Sequence, residues 1–150
     1  MSYLIAIGAD HRGFAQKQFL KTSYDYADCD IDWVDVGANN VLKSDYPVFA
    51  RLVCDLVVNK KVDYGVLLCG SGVGMSIVAN RYCHIYAGIA WNCNVAHAAK
   101  SDDNVNVLIL PSDFVTDNQA GEILHCWLTT SFSGTDHKKR LEMVDHIVCR

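Results

Sequence analysis

Five short apolar runs punctuate the chain, at residues 3–7, 31–36, 64–68, 85–90 and 106–110. They are continuous rather than alternating, the pattern of strands buried on both faces. Between them the apolar spacing turns helical. One such segment spans about 13–27, with Phe14, Phe19 and Leu20 on one side. A second covers 46–58, started by Ser44 and Pro47. Others are expected at 73–82, 94–100 and 117–130, and Thr116 with Gln119 resembles a capping box for the last of these. A sixth, 136–148, follows the Ser133-Gly134-Thr135 break. Strand–helix alternation predicts an α/β fold, a parallel sheet covered on both faces. Ligands bind such sheets at the carboxyl ends of the strands. Cys69 sits at one such end and Asp10-His11 follows another.

The third run stops abruptly at Cys69, and glycines then alternate through Gly70-Ser71-Gly72-Val73-Gly74 before a helical pattern begins. This reads as strand, tight glycine loop and helix start. Such a loop aims backbone N–H groups at one point, and the helix N-terminus adds partial positive charge. A thiol there is expected to have a lowered pKa and to serve as base or nucleophile. Alone, Cys69 reads more often as a core residue at a strand end than as a catalyst, and the glycines as serving only a close strand–helix approach. The spacing is G-x-G-x-G, not the dinucleotide fingerprint, and no Gly-Lys-Ser/Thr follows as a P-loop requires.

With 51% apolar and 20% charged residues, the 150-residue chain has the balance of an ordinary soluble globule, read as one domain over 1–150. A net charge of −4 sets nucleic acid aside as the main partner. No uninterrupted apolar stretch would span a membrane, and without a basic flank or cleavage site at the first run no signal peptide is expected. The seven cysteines (Cys29, Cys54, Cys69, Cys83, Cys93, Cys126 and Cys149) are an odd number at scattered spacings, without C-x-x-C. Reduced thiols in a cytoplasm are therefore expected, not a disulfide framework or structural zinc site. Cys54, Cys83, Cys126 and Cys149 read as packing or surface thiols.

Three segments carry a family resemblance. Gly8-Ala9-Asp10-His11, Ser44-Asp45-Tyr46-Pro47, and Leu68-Cys69-Gly70-Ser71-Gly72-Val73-Gly74-Met75-Ser76-Ile77 with Ala79-Asn80 resemble ribose-5-phosphate isomerase type B. That group lies in a sugar-phosphate isomerase family that also holds the galactose-6-phosphate isomerase subunits. Asn104-Val105-Asn106-Val107-Leu108 and Phe132-Ser133-Gly134…His137…Arg140 extend the match over nearly the whole chain. The resemblance implies a Rossmann-like three-layer α/β/α domain with a five-stranded parallel sheet. It implies a homodimer, or dimer of dimers, whose sites take residues from both chains. The implied reaction converts ribose 5-phosphate to ribulose 5-phosphate with no metal and no cofactor. Cys69 would move the proton between C1 and C2. Ser71 and the amides of Gly70, Gly72 and Gly74 would stabilise the enediolate. Asp10 would hold a sugar hydroxyl, His11 the phosphate, and Tyr46 would line the pocket. His137 and Arg140 would reach the phosphate from the partner chain. The chemistry needs a base, donors aimed at developing negative charge, and an acid–base group that opens the furanose ring.

Where the family has His-Asn before the fifth strand, this chain has Asp102-Asp103. The family's histidine opens the ring. Asp102 is assigned that role here, with a pKa raised by Asp103 and by partial burial. The competing reading of the pair is a solvated turn ending the helix at Lys100. Family arginines at the phosphate end are replaced by Tyr86, Asp113 and Asp136, with Arg12, Lys138, Lys139 or His97 as replacement cations. Such exchanges open two rival readings. One is a relative acting on another phosphosugar or on a non-phosphorylated aldose. The other is an inactive binding subunit, against which the retained Cys69 loop speaks. Trp33, Trp91 and Trp127 read as core or interface aromatics, His84, His125 and His146 as ordinary polar positions, and Asp35 as structural.

Overall fold

In the computed structural model of the chain, which describes residues 1–134 and 136–149, the five apolar runs form one parallel sheet. Thr135 of the expected break lies outside the described residues. The strands are β1 (Ser2–Ala9), β2 (Asp30–Asp35), β3 (Tyr64–Cys69), β4 (Ala87–Ile89) and β5 (Val107–Pro111), in the order β2-β1-β3-β5-β4. The helices are α1 (Phe14–Thr22), α2 (Tyr46–Val58), α3 (Val73–Ala79), α4 (Cys93–Ser101), α5 (Asp117–Thr129) and α6 (Asp136–Val148).

Alternate strand residues build two apolar layers, which makes the fold a Rossmann-like three-layer α/β/α arrangement. Ile5, Ile7, Val66, Leu68, Leu108 and Leu110 pack against Leu20 of α1, Ala96 of α4 and Ile123, Leu124 and Trp127 of α5. Ala6, Leu67, Cys69, Val107 and Ile109 pack against Ala50, Val53 and Cys54 of α2 and Met75 of α3. The side chain of Cys69 is thus directed to the α2–α3 face. Asp35 is structural, as read from the sequence. It accepts from Lys17 Nζ at 2.6 Å and Lys21 Nζ at 2.5 Å, which ties α1 to the end of β2.

Three elements are shorter than the periodicity, among them α3, which ends at Ala79. The first helix ends at Thr22, because Ser23 and Tyr24 both donate to Phe19 O and Ala27 has φ 54°, outside helical geometry. The fourth strand keeps three residues, because side-chain amides intercept its start. Asn106 Oδ1 takes the N–H of Tyr86, and Asn80 Oδ1 that of Ala87, both at 2.9 Å. The capping box is present, with Thr116 and Gln119 exchanging both bonds at the start of α5. Trp127 is fully buried and Trp33 half-buried, while Trp91 is exposed.

The expectation of seven reduced thiols is corrected at one pair. Cys83, after α3, is disulfide-bonded to Cys149, at the end of α6, with Cα atoms 5.2 Å apart. They are 66 residues apart in sequence, a separation no spacing rule joins. Cys29, Cys54, Cys69, Cys93 and Cys126 are free. Among the described residues no helix is long and apolar enough to cross a membrane.

Candidate active site

The chain runs from β1 outward to β2, then returns to place β3 on the other side of β1. That reversal opens a crevice at the carboxyl ends of β1 and β3, the usual ligand position in open α/β sheets. Ala9 is opposite Leu68, so Asp10 and Cys69 leave the sheet side by side. The Asp10 N–H donates to Leu68 O at 3.2 Å. The buried Asp10 carboxylate accepts from the backbone N–H groups of Arg12 (2.9 Å) and Gly13 (3.2 Å), closing the turn into α1.

The loop behind Cys69 wraps around its sulfur. The Gly72 N–H donates to Cys69 Sγ at 3.2 Å, and Gly72 stands at φ 78°, the left-handed region that favours glycine. Backbone N–H groups of Met75, Gly72 and Ser71 all favour the thiolate. Burial opposes them and wins, helped by the nearby Asp10 charge, so the thiol is pushed above its ordinary value. This corrects the expected lowering of the Cys69 pKa. The amide cradle is present, but Cys69 is buried to 5% exposure and withdrawn from water.

Three neighbours enclose the loop. The Tyr46 ring, at the start of α2, lies on Gly74, where a Cβ would come within 2.6 Å of Tyr46 Cζ. Arg12 and Asp113 form an ion pair across Gly70, where a Cβ would meet Arg12 Nε at 2.6 Å and Asp113 Oδ2 at 2.7 Å. Asp113 is held there because its N–H donates to Gly70 O at 3.0 Å. Asp10, Arg12, Tyr46, Cys69, Ser71 and Asp113 line an open cleft of about 360 Å³. His11 is fixed on the Ser44 segment. Its N–H donates to Ser44 Oγ at 3.0 Å, and its Nδ1 accepts from the Ser44 N–H at 3.3 Å. A neutral His11 therefore carries its proton on Nε2, as a donor.

The remaining expected site residues form a second group. Asp102, the C-cap of α4, accepts from Ser101 Oγ at 2.9 Å, and His137 Nε2 stands 3.9 Å from Asp102 Oδ1. Arg140 Nη1 lies 3.3 Å from His137 Nδ1. Asp103 lines a different cleft, together with Tyr86, Leu141 and Val144. None of Asp102, Asp103, His137 and Arg140 lines the Cys69 cleft of its own chain. The partial burial expected for Asp102 is present, with its side chain 47% exposed. Sequence reasoning missed the pairing of Arg12 with Asp113. The available clue was position, since both residues follow strands that flank β3.

The comparisons with known proteins agree with the fold. The family described as ribose/galactose isomerase matches residues 5–144. Ribose-5-phosphate isomerase B of Escherichia coli is 32% identical over 143 residues, covering 95% of each chain. The crystal structure of a Thermotoga maritima ribose 5-phosphate isomerase superposes with a TM-score of 0.89 at 34% identity, covering 96% of this chain and 98% of that one. Ribose-5-phosphate isomerase B of Mycoplasma genitalium, with bound ribulose-5-phosphate, gives 0.87 at 34% identity, covering 96% of this chain and 95% of that one. Fold and relatives together define an α/β isomerase, an intramolecular oxidoreductase. The chain belongs to the ribose/galactose isomerase family.

Proposed function

We propose that this protein interconverts ribose 5-phosphate and ribulose 5-phosphate through an enediolate, with Cys69 as the base. The observation that carries the reading is the Cys69 sulfur beside Asp10, held by glycine-loop amides, in one cleft at the switch point of the sheet. A base and fixed N–H donors at the same point are what proton transfer next to a carbonyl requires. Ser71 and the amides of Gly70, Gly72 and Gly74 receive the developing oxyanion. Asp10 holds a sugar hydroxyl, Tyr46 walls the pocket, and His11 donates Nε2–H to the phosphate. No metal or cofactor is assigned a part.

The second group supports a shared site. Asp102, Asp103, His137 and Arg140 do not line the Cys69 cleft of their own chain, and in the proposed dimer they serve the cleft of another copy. Val73, Ile77, Trp91 and Phe114, each at least half exposed, supply apolar surface for that copy. We infer a homodimer acting in the cytoplasm as one domain per chain, with Asp102 opening the ring and His137 and Arg140 near the phosphate. Mixing inactive Cys69→Ala chains with inactive Arg140→Ala chains should then restore part of the activity.

A second reading is favoured by the Arg12–Asp113 pair, which places a carboxylate on the cation of the cleft. It has the substrate carry its phosphate elsewhere, or carry none. A panel of aldose phosphates and free aldoses assayed for ketose formation separates the readings. Turnover of ribose 5-phosphate supports the first, turnover only of another sugar supports the second, and silence across the panel removes the isomerase assignment.

A further inference from the structure

At the far end of α6 from His137, three side chains outside the candidate active site converge. The ligand atoms of Cys83, His84 and Cys149 lie within 4.8 Å of one another. The His84 imidazole thus has a ring nitrogen within 4.8 Å of both sulfurs. Two thiolates and an imidazole are the donor set of a thiophilic divalent cation. The surroundings fit the same purpose. His84 Nδ1 lies 3.6 Å from Asp145 Oδ2, which also accepts the Tyr86 hydroxyl at 2.8 Å. A carboxylate that orients a ligating imidazole, and is itself held by a donor, is the usual outer layer of such sites. His84 further stands at φ 63°, a left-handed conformation that a non-glycine residue adopts at a cost.

We propose that Cys83, His84 and Cys149 form a metal site that binds zinc or a similar thiophilic divalent cation, and that the Cys83–Cys149 disulfide is the oxidised, metal-free form of this site. Around a tetrahedral zinc two sulfurs stand about 3.8 Å apart. Cα atoms 5.2 Å apart accommodate that separation. Opening the disulfide takes two electrons, either from a dithiol, which also gives two protons and closes to its own disulfide, or from a phosphine, which becomes its oxide by taking the oxygen of a water molecule whose two protons go to the sulfurs. The two thiols formed then release their protons to solvent as the sulfurs bind the cation. Water completes the four-coordinate shell. Either form ties the end of α6 to the turn before β4. That helix is otherwise mostly exposed, and it carries His137 and Arg140.

The test uses the full chain, reduced with a phosphine that is then removed under anaerobic conditions, and titrated with cobalt(II). One ion per chain is expected, with a thiolate-to-cobalt charge-transfer band that zinc abolishes on displacement. The oxidised protein should bind none. Cys83→Ser and Cys149→Ser should lose the band, and Asp145→Asn should weaken binding by about 10- to 100-fold. His84 is exposed, so His84→Gln keeps the fold and carries the test if a cysteine variant does not; it should weaken binding at least about tenfold. The proposal is overturned if the reduced protein takes up no stoichiometric cobalt. It is equally overturned if the band survives Cys83→Ser, or if His84→Gln binds as tightly as the parent.

Discussion

Asp113 holds the guanidinium of Arg12 over the Gly70 backbone, so the cation of the Cys69 cleft is already paired before any substrate arrives. Arg12 comes from the turn after β1 and Asp113 from the turn after β5, on either side of β3. A side chain at Gly70 would displace both of them. Both partners are partly open to water, so the pair itself contributes little to stability. Its effect is on what the cleft will accept.

Removing the carboxylate should therefore release Arg12 for an anion. Asp113→Asn is expected to tighten inorganic phosphate or a phosphorylated competitive inhibitor by about tenfold, the worth of one charge-assisted hydrogen bond. Arg12→Ala should abolish that gain in the double variant. Calorimetry at low and high salt checks it, since a guanidinium–phosphate contact weakens as salt rises. Unchanged affinity in Asp113→Asn would mean that Arg12 does not face the ligand.

The buried Cys69 thiol makes a prediction with a definite sign. Burial first, and the Asp10 charge with it, keep Cys69 protonated above the usual thiol range. Only the thiolate reacts with alkylating agents. Iodoacetamide labelling at Cys69 should thus rise with pH through a midpoint higher than that of a free thiol. Asp10→Asn should lower the midpoint by removing a neighbouring negative charge. Cys69→Ala should reduce kcat by roughly 10²–10⁴ with little change in substrate binding. Near-normal turnover in that variant would exclude Cys69 as the base.

Asp102 and His137 are adjacent, so their roles separate only by choice of substrate. An open-chain analogue that cannot cyclise bypasses ring opening. Asp102→Ala should slow the cyclic sugar phosphate far more than this analogue, and Asp102→His should keep or raise activity. Equal losses on both substrates would return Asp102 to a solvated helix end.

Lys100 offers a stability test remote from the site. Its ammonium is buried at 6% exposure, 4.1 Å from the Tyr64 ring centre and 5.2 Å from that of Trp127. Its hydrogen bond to Val105 O is long, at 3.5 Å. Burial lowers its pKa to about 8. Below that pH the lysine is charged in both states, and folding bears the full desolvation, about 3 kcal/mol. The two rings return roughly 2 kcal/mol. Between about pH 8 and the ordinary lysine value the unfolded chain binds more protons, so this residue's contribution improves as pH rises. Lys100→Met should accordingly stabilise the protein by about 1–3 kcal/mol at pH 7. Its advantage over the parent should shrink by pH 10. Denaturant melts of both proteins at the two pH values measure this, and an advantage that grows with pH would refute it.

Local order was readable along the chain, because it rests on neighbours in sequence. Continuous apolar runs gave the strands, Thr116 with Gln119 gave a helix cap, and Cys69 with its glycines gave the strand–loop–helix turn, since each depends on residues a few positions apart. Tertiary structure alone decided the rest. The thiol at Cys69 is raised because burial, which no local pattern reports, outweighs the amides that the loop does display. Arg12 meets Asp113 because β1 and β5 both flank β3, although 101 residues separate the pair. Cys83 meets Cys149 by the return of α6 to the turn before β4. Asp102 and His137 share one group, away from the Cys69 cleft of the same chain, because α4 ends where α6 begins. Backbone propensity and apolar period act over a few residues and are written in the sequence. Burial and charge pairing act across space and exist only once the sheet order has brought distant strand ends together.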